Sequence, residues 1–325
     1  MPYILDDRLV IGVASSALFD LGEADRVFRE QGEAAYRRYQ EEHLEDALQP
    51  GVAFQFVKRI LQLNDLSPNM GDPLVEVVIM SRNDPDTGLR VMRSVSRHGL
   101  AITRAIFTAG RSPYEFIPPF NISLYLSADD EAVRAAVEQH HPAGLVLASV
   151  AEADDSDQLR IAFDFDGILT NDSAEQIFQS GGISAFHASE SEHANETHPE
   201  GLLLPFLKAL SRIQTMERER CKSDSNYRRR LSISVVTSRN APAHERMILS
   251  LKAWEVQVDN AFFLGGVDKG RVMQVLKPHI FFDDQESHLI DTSKYVPSVH
   301  VPFGELNRRS AEKIVGEKEV DASEA

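Results

Sequence analysis

The chain has 325 residues, 42% hydrophobic and 26% charged, and its 34 Lys and Arg against 50 Asp and Glu give a net charge of −16. Such a composition belongs to a folded globular protein, and the acidic balance argues against a nucleic acid polymer as partner, since that binding relies on basic side chains neutralising phosphates. The single cysteine, Cys221, has no mate for an internal disulfide, which suits a reducing compartment and a cytoplasmic location. The first residues lack the basic-then-apolar layout of a signal peptide. No apolar run approaches the roughly 20 residues needed to cross a bilayer, so no membrane association is expected. The length suggests about two domains and leaves a homo-oligomer open.

In chain order, apolar runs predict a strand over 9–13, a helix over 23–48, a strand over 75–80, a helix over 87–98, strands over 102–107 and 122–126, a helix over 130–140 and a strand over 145–149. The small, acidic stretch Ala151 to Asp157 then marks a domain boundary. Beyond it come strands over 159–163, 233–236, 280–282 and 296–301, with helices over 202–217, 243–254 and 269–276. Alternation of this kind predicts an α/β fold with a mostly parallel sheet, and near-continuous apolar strands such as Val75 to Met80 fit strands covered on both faces. The expected organisation is an N-terminal α/β domain over 1–150, a second domain over 158–305, and a helix end with an acidic tail over 306–325, frayed from Gly316.

The two blocks echo one another. Ile11 to Asp20 lies 150 positions before Ile161 to Thr170, Arg26-Val-Phe falls on Gln176-Ile-Phe at the same offset, and Met80-Ser-Arg-Asn-Asp-Pro recurs as Thr237-Ser-Arg-Asn-Ala-Pro at an offset of 157. Matches in the same order at nearly constant spacing read as a degenerate duplication. Ala14 and Ser16 stand where the second block has Asp164 and Asp166.

The second block carries the chemistry. Leu159 to Phe163 is an apolar strand followed by Asp164-Phe165-Asp166-Gly167, and side chains at i and i+2 leave a strand on one face. Two carboxylates at the carboxyl end of a strand, where open α/β sheets place ligands, suit Mg²⁺ and a phosphate. An isolated Asp-x-Asp reads more readily as a helix cap beside a turn, but three further segments accompany it. Thr237-Ser238 ends a second strand and could hydrogen-bond a phosphoryl oxygen, Lys269 opens a helix after a glycine turn, and Asp283-Asp284 ends a third strand.

This order resembles the haloacid dehalogenase superfamily of phosphatases, whose four motifs match Asp164 to Thr170, Thr237 with Ser238, Lys269, and Asp283-Asp284. More narrowly, Ala14 to Asp20, Asn121 to Asp129, Phe163 to Gly167 with Asn171 to Glu175, and Pro278 to Gln285 resemble the type I cytosolic 5′-nucleotidases, from about residue 8 to residue 303. One departure is Phe165 between the aspartates, where those relatives usually carry Gly. The resemblance implies a parallel-sheet, haloacid dehalogenase-like (Rossmann-like) core, beside the N-terminal α/β half that the echo reads as a degenerate repeat. It also implies a Mg²⁺-dependent enzyme that hydrolyses nucleoside 5′-monophosphates through an aspartyl-phosphate.

In that reading Asp164 is the nucleophile and Asp166 the acid and base, while Lys269 and Thr237 complete the catalytic set. Thr237, Ser238, Lys269 and Gly167 bind the substrate phosphate, and Asp164, Asp166, Asp283 and Asp284 hold the metal. The rivals are a related phosphatase acting on a sugar phosphate or other small organic phosphate, and a non-catalytic nucleotide-binding protein. The segment His187 to His198 reads as a solvated loop rather than a metal site, and the basic run from Arg218 to Arg230 as an exposed linker. Phe120, Tyr125 and Trp254 read as packing. The N-terminal half is expected to close over the site as a cap, presenting Ser15, Ser16, Arg82 and Asn83.

Overall fold

The computed structural model describes residues 3–69, 71–149, 156–305 and 307–308. Its strands in chain order are β1 (Leu9–Val13), β2 (Phe19–Asp20), β3 (Gln49–Pro50), β4 (Val75–Ser81), β5 (Arg104–Phe107), β6 (Ile122–Ser127), β7 (Ala143–Val146), β8 (Leu159–Phe163), β9 (Leu231–Thr237), β10 (Asn260–Phe263), β11 (Ile280–Asp283) and β12 (Ser298–His300). Ten of them form one sheet in the order β10-β9-β8-β11-β12-β7-β6-β1-β4-β5, and β2 and β3 make a small separate pair. Every pairing in the large sheet is parallel except β12 with β7. The expected α/β class with a mostly parallel sheet is therefore what the chain adopts.

Alternation along the strands explains the layers. Ile161, Phe163, Ile233, Val235, Ile280 and Phe282 join the large core under the helix Leu204–Ser223, whereas Ala162, Val236 and Phe281 face the helices Lys269–Leu276 and Glu286–Thr292 through Met273 and Leu289. Successive residues of a strand point to opposite faces, so both faces are covered. Each buried aliphatic or aromatic side chain contributes roughly 1.5–3 kcal/mol.

The sheet contains the same strand order twice. In the second half β8 has β9 and β10 on one side and β11 and β12 on the other; in the first half β1 has β4 and β5 on one side and β6 and β7 on the other. Connections agree as well. The helices Gly22–Gln31 and Glu33–Glu42 break at Gly32 (φ +80°, ψ −179°), and the helix Ser173–Glu192 kinks at Gly182 (φ +68°, ψ −171°). Local hydrogen bonds repeat: Leu48 N and His198 N donate to Ser94 Oγ and Ser250 Oγ, both at 3.0 Å, and Arg90 Nε and Arg246 Nε donate to the carbonyls of Asp46 and Glu196 at 3.2 and 3.0 Å.

The antiparallel contact of β7 with β12 makes the two halves face opposite ways. The carboxyl ends of β1, β4 and β6 open on one sheet edge and those of β8, β9 and β11 on the other. Ser15, Ser16, Arg82 and Asn83 therefore lie at the far edge from Asp164, and the cap expected from them over the site is not formed. The expected boundary falls mostly outside the described residues, as does most of the 306–325 tail. On either side of it the halves share one sheet and one core, with the helix Phe54–Gln62 touching β8 and the helix Leu204–Ser223 touching β1 and β6. No helix among the described residues is long and apolar enough to cross a membrane.

Candidate active site

From β8 the chain proceeds outward to β9 and β10, then returns to the other side of β8 for β11 and β12. The strand order thus reverses between β8 and β11, and a crevice at the carboxyl ends of such strands is where open α/β sheets bind ligands. Asp164 directly follows β8 and Asp283 ends β11. The Asp164 N–H donates to the carbonyl of Phe282 at 2.8 Å, which fixes the two strand ends side by side.

Lys269, the first residue of its helix, reaches between the two acids. Its Nζ lies 2.9 Å from Asp164 Oδ2 and 2.7 Å from Asp283 Oδ2, and all three residues are buried. Burial alone would push the ammonium down, but the two carboxylates hold it above its ordinary value. Burial, opposed by Lys269 and reinforced by Asp283 and Asp166, raises Asp164 to about 7. Burial works against Asp283 too, but Lys269 and the neighbouring His288 hold its carboxyl below the usual range. Burial and the charges of Asp283 and Asp164 push Asp284 well up.

Asp284 Oδ1 is buried without a hydrogen-bond partner, while its backbone carbonyl accepts from His300 Nε2 and Asn307 Nδ2, both at 3.0 Å. An orphaned carboxylate oxygen among further acids is a donor set that fits a hard divalent cation. Asp164, Asp283 and His288 each offer a ligand atom, all within 4.8 Å of one another. His288 was not anticipated; its Nδ1 lies 3.2 and 3.3 Å from the Asp283 oxygens. Gly167 adopts φ +70°, and a Cβ there would stand 2.3 Å from Asp284 Oδ2, so only glycine lets this turn pass the acid.

Thr237 ends β9 and is buried, its Oγ1 accepting from the backbone N–H of Arg239 at 3.2 Å, whereas Ser238 beside it is exposed. Asp166 turns towards Arg239. Its Oδ2 accepts from Nε at 2.8 Å and its Oδ1 from Nη2 at 2.7 Å, and the Arg239 side chain is 2% exposed. Arg239 Nη1 in turn contacts Glu190, which also accepts from Arg246 Nη1 at 2.9 Å. His198 Nε2 lies 3.2 Å from Glu190 Oε2 and 3.1 Å from Arg239 Nη2. Burial pushes Glu190 up, but the His198 hydrogen bond and the Arg239 charge outweigh it and hold the carboxyl down at about 2. Burial holds His198 below its ordinary value.

Glu190 and His198 correct the solvated-loop reading. His187 to Glu192 belong to the helix Ser173–Glu192, and Glu190 and His198 are 2% and 3% exposed. The basic run is also structured: Arg218, Arg220 and Lys222 lie in the helix Leu204–Ser223, and Arg229 and Arg230 pair with Asp259 and Asp65. Tyr125 and Trp254 are buried as packing residues, Trp254 stacking on Phe165 at 6.1 Å.

A family model described as 5′-nucleotidase matches residues 1–308. Human cytosolic 5′-nucleotidase 1B is 30% identical over 294 residues, which is 87% of this chain and 47% of that protein. The chain thus spans about half the length of that relative, and no solved structure matches. With the family model covering nearly all of its length, the chain belongs to the 5′-nucleotidase family.

Proposed function

We propose that this protein is a Mg²⁺-dependent 5′-nucleotidase that hydrolyses nucleoside 5′-monophosphates through an aspartyl-phosphate. The observation that carries the reading is the buried Asp164 beside Lys269 and Asp283 at the strand-order reversal, in a chain of this family. Asp164 attacks phosphorus, and splitting the reaction through a covalent intermediate makes each displacement easier. Asp166 gives a proton to the departing 5′-oxygen and later takes one from the attacking water. Thr237 and backbone N–H groups after Asp166 hold the phosphoryl oxygens, and Lys269 neutralises charge that develops on them. Asp164, Asp283 and Asp284, with the Asp166 carbonyl, would hold Mg²⁺, which when bound offsets repulsion between carboxylate and phosphate.

Phosphate release from a panel of nucleoside monophosphates and sugar phosphates, with Mg²⁺ and with a chelator, tests the reading. Release is expected from nucleotides with Mg²⁺, and Asp164→Asn should lower it by on the order of 10⁴-fold or more. Sugar phosphates as the better substrates, or wild-type rates in Asp164→Asn, would overturn it.

A further inference from the structure

We infer that Arg239 is a positioning residue for Asp166, anchored by Glu190 and His198, and that this buried network sets the acid–base group of the reaction. The inference rests on the reaction proposed above.

Arg239 presents a planar fork to Asp166, with two donors on its two oxygens at 2.7 and 2.8 Å. A bidentate guanidinium–carboxylate pair fixes both the distance and the plane of the acid. The guanidinium is itself immobilised. Its carbon lies 5.1 Å from the Phe165 ring centre and 5.2 Å from that of Phe186, Nη1 donates to the Ala243 carbonyl at 3.3 Å, and Glu190 closes the far side. Each oxygen of Asp166 keeps a second lone pair for the transferred proton.

The first half of the chain is an internal control. At the offset of 157 Arg82 occupies the place of Arg239, and at the offset of 150 Ser16 and Gln40 occupy those of Asp166 and Glu190. There Arg82 turns outward, 53% exposed, to Asp129 Oδ2 at 2.6 Å and the Gly110 carbonyl at 3.0 Å, while Gln40 accepts from Arg90 at 3.1 Å. The same strands, helix break and serine hydrogen bonds form with Arg82 turned outward, and the buried Arg90 there meets the neutral Gln40 instead of a glutamate. Burying an ion network costs desolvation and is weak support for stability, so the fold does not account for this one. At this position the inward turn of the arginine, with a glutamate behind it, occurs in the half that has an aspartate to hold.

The chemistry states what the clamp must do. In the first step Asp164 Oδ forms a bond to phosphorus, the bond from phosphorus to the 5′-oxygen breaks with its electron pair going to that oxygen, and Asp166 delivers a proton to it. In the second step water oxygen attacks phosphorus, Asp166 takes the water proton, and the electron pair of the breaking bond returns to the Asp164 carboxylate. Both transfers need an Asp166 oxygen within hydrogen-bond reach of the reacting oxygen. A nitrophenolate leaving group needs no proton, so with p-nitrophenyl phosphate only the second step depends on Asp166.

Two variants test this. Arg239→Lys keeps the charge and removes the fork. Arg239→Met combined with Glu190→Gln removes both buried charges together, leaving a folded protein to measure even where a lone buried charge would unfold it. Both should lower kcat on nucleoside monophosphates by on the order of 10²-fold with KM within about twofold. With p-nitrophenyl phosphate both should give a burst of one nitrophenolate per enzyme, then slow turnover. Nucleotide turnover within about threefold of the parent, or equal losses on both substrates without a burst, would overturn the inference. The parent and Asp166→Asn run in the same assay, so failure of the proposed reaction appears in the parent and failure of the clamp only in the Arg239 variants.

Discussion

The two halves of the sheet use one plan for different ends. The Ala14 N–H donates to the Leu126 carbonyl at 2.8 Å as the Asp164 N–H donates to that of Phe282 at 2.8 Å, so the backbone of the two strand junctions is the same. The side chains are not. Where the second half gathers Asp164, Asp166, Thr237, Asp283 and Asp284, the matching positions of the first half hold Ala14, Ser16, Met80, Ser127 and Ala128. No lysine stands in the short 3-10 helix Pro113–Phe116, which precedes β6 as the helix of Lys269 precedes β11. Charge at this junction is thus optional for the fold, and a neutral Ser15–Ser81 hydrogen bond of 2.8 Å suffices in the first half. The second half instead buries three acids, Asp164, Asp283 and Asp284, with Lys269, at a desolvation cost that the first half does not carry.

The strongest way to break this comparison is to give the first half the acid it lacks. Ala14 is 6% exposed and has no facing lysine, so Ala14→Asp should destabilise the protein by roughly 3 kcal/mol, the effect of an uncompensated buried charge. Urea unfolding measures it. Added to Asp164→Asn it should restore no phosphate release, and activity in that double variant would show that the far edge can still bind substrate.

A smaller effect compares the two helix breaks. Gly32 and Gly182 share a backbone conformation that essentially only glycine adopts, and an added Cβ would meet nothing within 4 Å at either. Alanine should therefore cost about 2 kcal/mol at each by conformation alone. Turnover should fall only for Gly182→Ala, because Glu190 sits on the helical segment after that break. Equal turnover losses at the two positions would remove the functional difference between the halves.

The sequence made some of this visible and hid the rest for identifiable reasons. Asp164, Thr237 and Asp283 were legible because an apolar run ending in a polar residue is a local signal. The opposed orientation of the halves was not, because it depends on one pairing between the short strands β7 and β12. The helix Ser173–Glu192 was missed because Gly181-Gly182 and His187 to Glu192 show no apolar period, and Asn260–Phe263 because an edge strand lacks a fully buried run. Arg239 was read only as a neighbour of Thr237, since its partners lie 73 and 49 positions away. The one signal that could have found it was the repeat itself, with Glu190 standing at the position of Gln40.

The finest test of the comparison uses the serine hydrogen bonds that both halves keep. Ser94 Oγ accepts from the Leu48 N–H at 3.0 Å and donates to the Arg90 carbonyl at 2.8 Å, so Ser94→Ala should cost about 1 kcal/mol and leave turnover intact. Ser250 Oγ meets the His198 N–H at 3.0 Å and also lies 2.8 Å from His198 Nδ1. Ser250→Ala leaves two buried polar atoms of His198 unmatched, which should cost up to about 2 kcal/mol. It should also lower kcat, because His198 touches both Glu190 and Arg239. Thermal unfolding and nucleotide turnover, measured on both variants, separate the shared role of the serine from the role that only the second half adds. A Ser250→Ala enzyme that lost stability but turned over at the parental rate would confine His198 to packing and leave Glu190 as the working anchor of Arg239.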